Sequence, residues 1–136
     1  MQALESAPWT ISEDAYPAAA PASGKLEYLL GWAVLAPSGH NTQPWRFRVA
    51  GDTLFVHADR ARRLAVVDPL DRELVMSCGA ALFFLRVAIR RFGHLDEVEC
   101  FPDDADPEQA VLRMGYPVGQ TPHTPRRGVG EVLESA

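Results

Sequence analysis

The sequence predicts an α+β domain: a small, mostly antiparallel sheet packed on a first helix and a long central helix. Three observations point there. Apolar residues recur at helical spacing in two segments, one starting at Lys25 and one starting near Asp68. Two short runs between them alternate apolar and polar residues around Gly51-Asp52, the pattern of a hairpin. Two more β-rich runs follow the second helix, around Val98 and Leu112.

Residues 1–24 are rich in Ala and Pro and read as a flexible surface arm. A loosely ordered tail is expected there; the alternative is a strap anchored to a partner subunit by Trp9, Ile11 and Tyr16. The core is expected over residues 25–116. Leu26, Leu29, Leu30, Ala33 and Val34 form the stripe of the first helix, and Pro37 stops it. Trp45, Phe47 and Val49 alternate with Arg46 and Arg48, and Thr53 to His57 returns as the second strand. Ala58 to Val67 reads as a connecting loop carrying Arg60, Arg62 and Arg63.

Asp68-Pro69 is expected to open the central helix, since Asp caps well and Pro suits the first helical position. Leu74, Cys78, Ala81, Leu85 and Ile89 lie on its apolar stripe, and Gly93 is its expected stop. Gly79-Ala80-Ala81 permits close approach of another backbone. Val98 to Phe101 is the third strand, Pro102 to Pro107 an acidic turn, and Ala110 to Tyr116 the fourth strand. Residues 117–136 carry three prolines and read as an extended tail, with a short helix conceivable only at Val129 to Leu133.

Composition narrows the function classes. The chain has 136 residues, enough for one domain with a real core, and 47% hydrophobic against 23% charged residues excludes a disordered chain. The net charge of -5 argues against a nucleic-acid binder. No apolar run approaches the ~20 residues a membrane helix needs. No basic stretch leads into an apolar run at the start, so no signal peptide is expected. Cys78 and Cys100 stand far apart with no CxxC pair, which reads as reduced thiols in a cytoplasmic protein.

The densest polar constellation is Ser38, Asn41 and Gln43, held between Pro37 and Pro44-Trp45. A side-chain amide offers both a carbonyl and an NH2, so it suits a ligand edge with alternating donors and acceptors. Prolines stiffen the loop and reduce the entropy lost on binding. On composition alone, the same residues fit an ordinary capping and turn segment at least as well.

The run Ala36-Pro37-Ser38-Gly39-His40-Asn41-Thr42-Gln43-Pro44-Trp45-Arg46-Phe47 resembles the APS-x-x-N-x-QPW-x-F motif of the nitroreductase family. Ala58-Asp59-Arg60-Ala61-Arg62-Arg63-Leu64, Val67-Asp68-Pro69 and Ser77-Cys78-Gly79-Ala80-Ala81-Leu82 resemble its Acg-type actinobacterial branch. Leu112 to Pro117 with Thr124-Pro125-Arg126-Arg127 resembles the family's last strand and tail. The resemblance implies an α+β fold with an antiparallel-rich sheet and noncovalent FMN at a homodimer interface with exchanged termini. It also implies reduction of small acceptors, such as nitro compounds or quinones, by NAD(P)H. Ser38, Asn41 and Gln43 would contact the flavin, and Arg126 and Arg127 would hold its phosphate. A solvated basic pair is the other reading of Arg126-Arg127. No catalytic side chain is implied, because the flavin carries the chemistry.

The chain departs from the family pattern in two places. No Arg-Arg-Ser type segment precedes the first helix, and Phe101 stands close to Leu112, where the family has a substantial middle portion. It therefore resembles a shortened member. The alternative is a flavin-binding or dimerisation module without catalysis. Elsewhere the residues suggest little. The four histidines are scattered and read as surface or loop residues, Cys78 as a core residue, and the aspartates near position 104 lack the pattern of a calcium loop.

Overall fold

The computed structural model describes residues 11–102 and 108–116. The expected acidic turn at 103–107 and the tail, including Arg126 and Arg127, lie outside the described residues. Two helices pack on one face of a four-stranded antiparallel sheet. Helix α1 spans Ala22–Ala33 and α2 spans Arg72–Arg91; the strands are β1 Trp45–Ala50, β2 Thr53–Ala58, β3 Leu95–Cys100 and β4 Glu108–Gly115. The strand order is β1-β2-β4-β3, so the last strand enters between the hairpin and the strand that follows α2.

The sheet's register follows from its period-two pattern. Leu54 faces Leu112 and Val56 faces Ala110 across β2 and β4, and all four side chains are buried. Trp45 is buried, and Phe47 and Val49 pack against the core from β1. A one-residue slip would turn this whole set to solvent, so the register is strongly specified. From the helices, Leu26, Leu29, Leu85 and Ile89 are fully enclosed, each worth about 1.5–3 kcal/mol of burial.

Both ends of α2 have clear causes. Its first turn starts three residues later than the Asp68-Pro69 signal suggests. Asp68 still serves the helix: its buried carboxylate accepts from the backbone N–H of Arg72 (2.8 Å) and Leu74 (3.0 Å). The cap thus acts across an intervening turn that ends at Asp71, whose φ is +55°. At the other end, His94 N–H bonds the Ile89 carbonyl and Gly93 N–H bonds that of Arg90. Gly93 has φ +81°, the left-handed stop that glycine adopts without penalty.

Three further readings need correction. Strand β3 begins at Leu95 rather than Val98. Its inward position is filled by Asp96, whose buried side chain accepts from Arg86 and Arg90 of α2, so the apolar alternation is broken there. His94 is no surface histidine; only 4% of it is exposed. The segment before α1 lies on the core from Ile11 onward. Tyr16 stacks on Phe92 with centroids 4.1 Å apart, and a Cβ on Gly31 would come within 2.1 Å of Ile11 Cδ1.

Candidate functional site

The loop between α1 and β1 is pinned from several sides. Gly39 N–H donates to Ser77 Oγ (3.3 Å), which itself donates to the Glu73 carbonyl one turn back (2.7 Å). Gln43 N–H donates to Ser38 Oγ (2.9 Å), closing the loop on itself. Thr42 Oγ1 donates to the Gly39 carbonyl at 2.9 Å, and Arg62 Nη1 reaches the Thr42 carbonyl at 3.3 Å. The Pro44 carbonyl accepts from Asp59 N–H (2.8 Å) and from the Cys78 thiol (3.4 Å).

These contacts hold an uncommon backbone. His40, Asn41 and Gln43 have φ of +49°, +54° and +48°. Left-handed geometry at a non-glycine residue costs on the order of 1 kcal/mol, less for Asn and His, and persists only where surroundings dictate it. Its effect is to set the Asn41 and Gln43 side chains in solvent. Gln43 Nε2 donates to the Asn41 carbonyl at 3.3 Å. The Asn41 amide has no hydrogen-bond partner among the described residues.

A groove of about 400 Å³ runs between the loop and α2. Pro37, Ser38 and Gly39 form one wall; Glu73, Met76, Ser77 and Ala80 form the other. Its lining is mostly apolar, with hydroxyls of Ser38 and Ser77 and the Glu73 carboxylate as polar points. Of the three loop residues singled out from sequence, only Ser38 lines this groove. Asn41 and Gln43 sit on the exposed turn beyond it. On the α2 wall, Ser77 and Ala80 belong to the run that resembles the Acg-type branch, and Glu73 and Met76 join them by spacing, since the four lie one turn apart on a single side of the helix.

The arginines after β2 do not enter the groove. Arg60 and Arg63 pair with Asp71, and Arg46 and Arg62 with Asp59. They brace the loop's flank, chiefly through Arg62. Cys78 is enclosed, and burial pushes its thiol up to about 11, with the charge of Arg60 pulling weakly the other way. It is a neutral thiol at ordinary pH and no nucleophile. Cys100 is exposed, and the two line a separate cavity of about 220 Å³ beneath the end of β3. No group of three or more metal-ligating side chains occurs among the described residues. No helix there is long and apolar enough to cross a membrane.

No protein-family model matches the chain. Sequence relatives do. A protein of Mycobacterium tuberculosis strain H37Rv named as an NAD(P)H nitroreductase is 42% identical over 86 residues, 63% of this chain and 25% of the relative. A second one from that strain, named as the NAD(P)H nitroreductase acg, is 41% identical over 75 residues, 55% of this chain and 23% of the relative. The chain thus spans about a quarter of the length of the curated relatives it matches. Among solved structures, a nitroreductase from Desulfovibrio desulfuricans in complex with FMN superposes with a TM-score of 0.58 at 22% identity, covering 77% of this chain and 79% of that one. The nitroreductase CinD from Lactococcus lactis, in complex with 4-nitrophenol, gives 0.62 at 12% identity, covering 82% and 87%.

Proposed function

Because the chain has the nitroreductase fold and is related in sequence to the Acg-type nitroreductases, we propose that it is an FMN-binding oxidoreductase module. It would reduce small acceptors, nitro compounds or quinones, with NAD(P)H, and its flavin would lie against the Ser38–Gln43 loop. The observation that carries this reading is that loop. It has the APSGHNTQPW sequence, it is held in left-handed geometry at three non-glycine residues, and it borders a groove.

The side chains fit the group in kind. Met76, Ala80 and Pro37 offer an apolar floor for a flat ring system, and the Ser38 hydroxyl offers a donor at its rim. The Asn41 amide and the Gln43 Oε1 have no hydrogen-bond partner among the described residues, while Gln43 Nε2 is held on the Asn41 carbonyl. Arg126 and Arg127 are the proposed phosphate grip, by their fork of donors. Bound FMN would supply the hydride and electron chemistry. The chain's own part is to orient the ring, to hold hydrogen bonds at its polar edge, and to keep water from the apolar side. Ser38 is already held in place for this, since its Oγ accepts from Gln43 N–H, which leaves the hydroxyl proton free to be donated.

A homodimer is part of the proposal. Met76, Phe83 and Val87 are 71%, 62% and 53% exposed. With Ala80 they repeat at alternating steps of four and three along α2, the spacing of a helix seam. A second copy laid on this seam would also cover the open side of the groove at Met76 and Ala80. Light scattering should show a dimer at micromolar concentration, and Phe83→Glu should shift it to monomer.

The functional test is direct. Purified protein reconstituted with FMN should show a bound-flavin visible spectrum and oxidise NADPH in the presence of a nitro compound or quinone. Failure to retain any flavin would overturn the reading. Retention without turnover would favour the non-catalytic module.

A further inference from the structure

A cluster of polar side chains lies away from the groove, where the segment before α1 meets the C-terminal end of α2. Tyr16 Oη and His94 Nε2 are 2.6 Å apart. Lys25, from α1, donates through Nζ to Tyr116 Oη at 2.7 Å. The Tyr116 ring, just beyond β4, lies 4.5 Å from that of His94. Tyr16 is also stacked on Phe92 and meets Tyr28 of α1 edge-on. Four parts of the chain converge here: the 11–21 segment, α1, the end of α2 and the end of β4.

We infer that Tyr16, His94, Lys25 and Tyr116 form an acid-sensitive latch, closed while His94 is neutral, and that protonation of His94 releases the 11–21 segment from the core. The geometry gives the reason. His94 is 4% exposed, and its Nδ1 is enclosed with no hydrogen-bond partner among the described residues. A neutral imidazole leaves one nitrogen idle at modest cost. Imidazolium has an N–H at both nitrogens, and a charged donor at Nδ1 would face no acceptor. The facing groups offer no relief. Lys25 is cationic and itself 7% exposed, Tyr16 and Tyr116 are neutral phenols, and Tyr28 and Phe92 bring no negative charge.

The direction in pH follows. Burial first, and the Lys25 charge second, lower the titration of His94 from its ordinary value of 6.5. The closed state therefore keeps its full advantage above pH 6.5 and loses it as pH falls from there toward the lowered value. Within that window the opening constant rises by up to about tenfold per pH unit, the limit for one linked proton. The 11–21 segment is the part free to leave. Its other ties are the Tyr16 ring on Phe92 and Tyr28, the Glu13–Arg91 pair at 2.7 Å, the Tyr28 hydroxyl on the Ser12 carbonyl, and Ile11 against Gly31.

Hydrogen exchange by mass spectrometry on the intact chain tests this. Protection of residues 11–21, corrected for intrinsic exchange, should fall severalfold or more between pH 7.5 and pH 5.0, while the β2–β4 core stays protected. In His94→Gln, which cannot take up a proton, that fall should vanish. Unchanged protection in the natural chain, or the same fall in His94→Gln, would overturn the latch. If His94→Gln does not fold, NMR titration of His94 in the natural chain decides. A midpoint below 6.5 shared with the exchange transition upholds the latch, and a midpoint at or above 6.5 overturns it.

Discussion

Gly39 lies directly beneath Glu73: a Cβ atom at position 39 would stand 2.6 Å from Glu73 Oε2 but 3.5 Å from Glu73 Cβ. The first distance is impossible and the second is ordinary contact, so the size of the new side chain decides what gives. Gly39→Ala need only swing a flexible carboxylate aside, and its stability cost should stay within about 0.5 kcal/mol. Gly39→Val should press on the α2 wall and narrow the groove. Thermal melting should show little change for Ala and a clear loss for Val. FMN titration should show weaker binding for Val, because the groove's walls meet at this point.

Asp68 holds the start of α2 with two backbone N–H groups while 6% exposed. Asp68→Ala leaves both donors in a poorly solvated place. The expected loss is about 2 kcal/mol, at the upper end for helix caps. Asp68→Asn retains one acceptor oxygen and should lose roughly half as much. Urea denaturation followed by circular dichroism measures both. Equal stability of Asp68→Ala and the natural chain would mean that the cap is idle.

The two cysteines should differ sharply toward alkylation. At pH 8, roughly a thousandth of Cys78 is thiolate if its thiol stands at about 11. Iodoacetamide should therefore label one thiol per native chain, Cys100, and two in denaturant; mass spectrometry counts them. The same shift gives a stability trend. Cys78 titrates higher folded than unfolded, so its contribution is complete below pH 9 and is lost as pH rises from 9 toward about 11. Cys78→Ser should flatten that part of the profile.

The fold is legible in the sequence wherever a segment has one dry face and one wet face. The β1–β2 hairpin, the stripe of α2 and the Gly93 stop show this, since period and turn chemistry are local properties. Legibility fails where a polar group is buried by partners distant in the chain. Asp96 hides the first half of β3 because its arginine partners sit on α2. His94 resembles any loop histidine until Tyr16, 78 residues away, is seen against it. The site divides the same way. The loop and its prolines stand out as a motif, but nothing local in the sequence shows that Glu73, Met76 and Ala80 of α2 form the wall opposite it.

The central claim is that the Ser38–Gln43 loop holds a flavin, and FMN fluorescence quenching measures it most directly. Increasing amounts of the intact chain should be titrated into FMN, beside a variant with Ser38, Asn41 and Gln43 all changed to Ala. The account predicts saturable quenching by the natural chain. It also predicts at least about a tenfold weaker Kd for the variant, since three hydrogen bonds at about 0.5–1.5 kcal/mol each are removed. No quenching by the natural chain, or equal affinity in a folded variant, would contradict it.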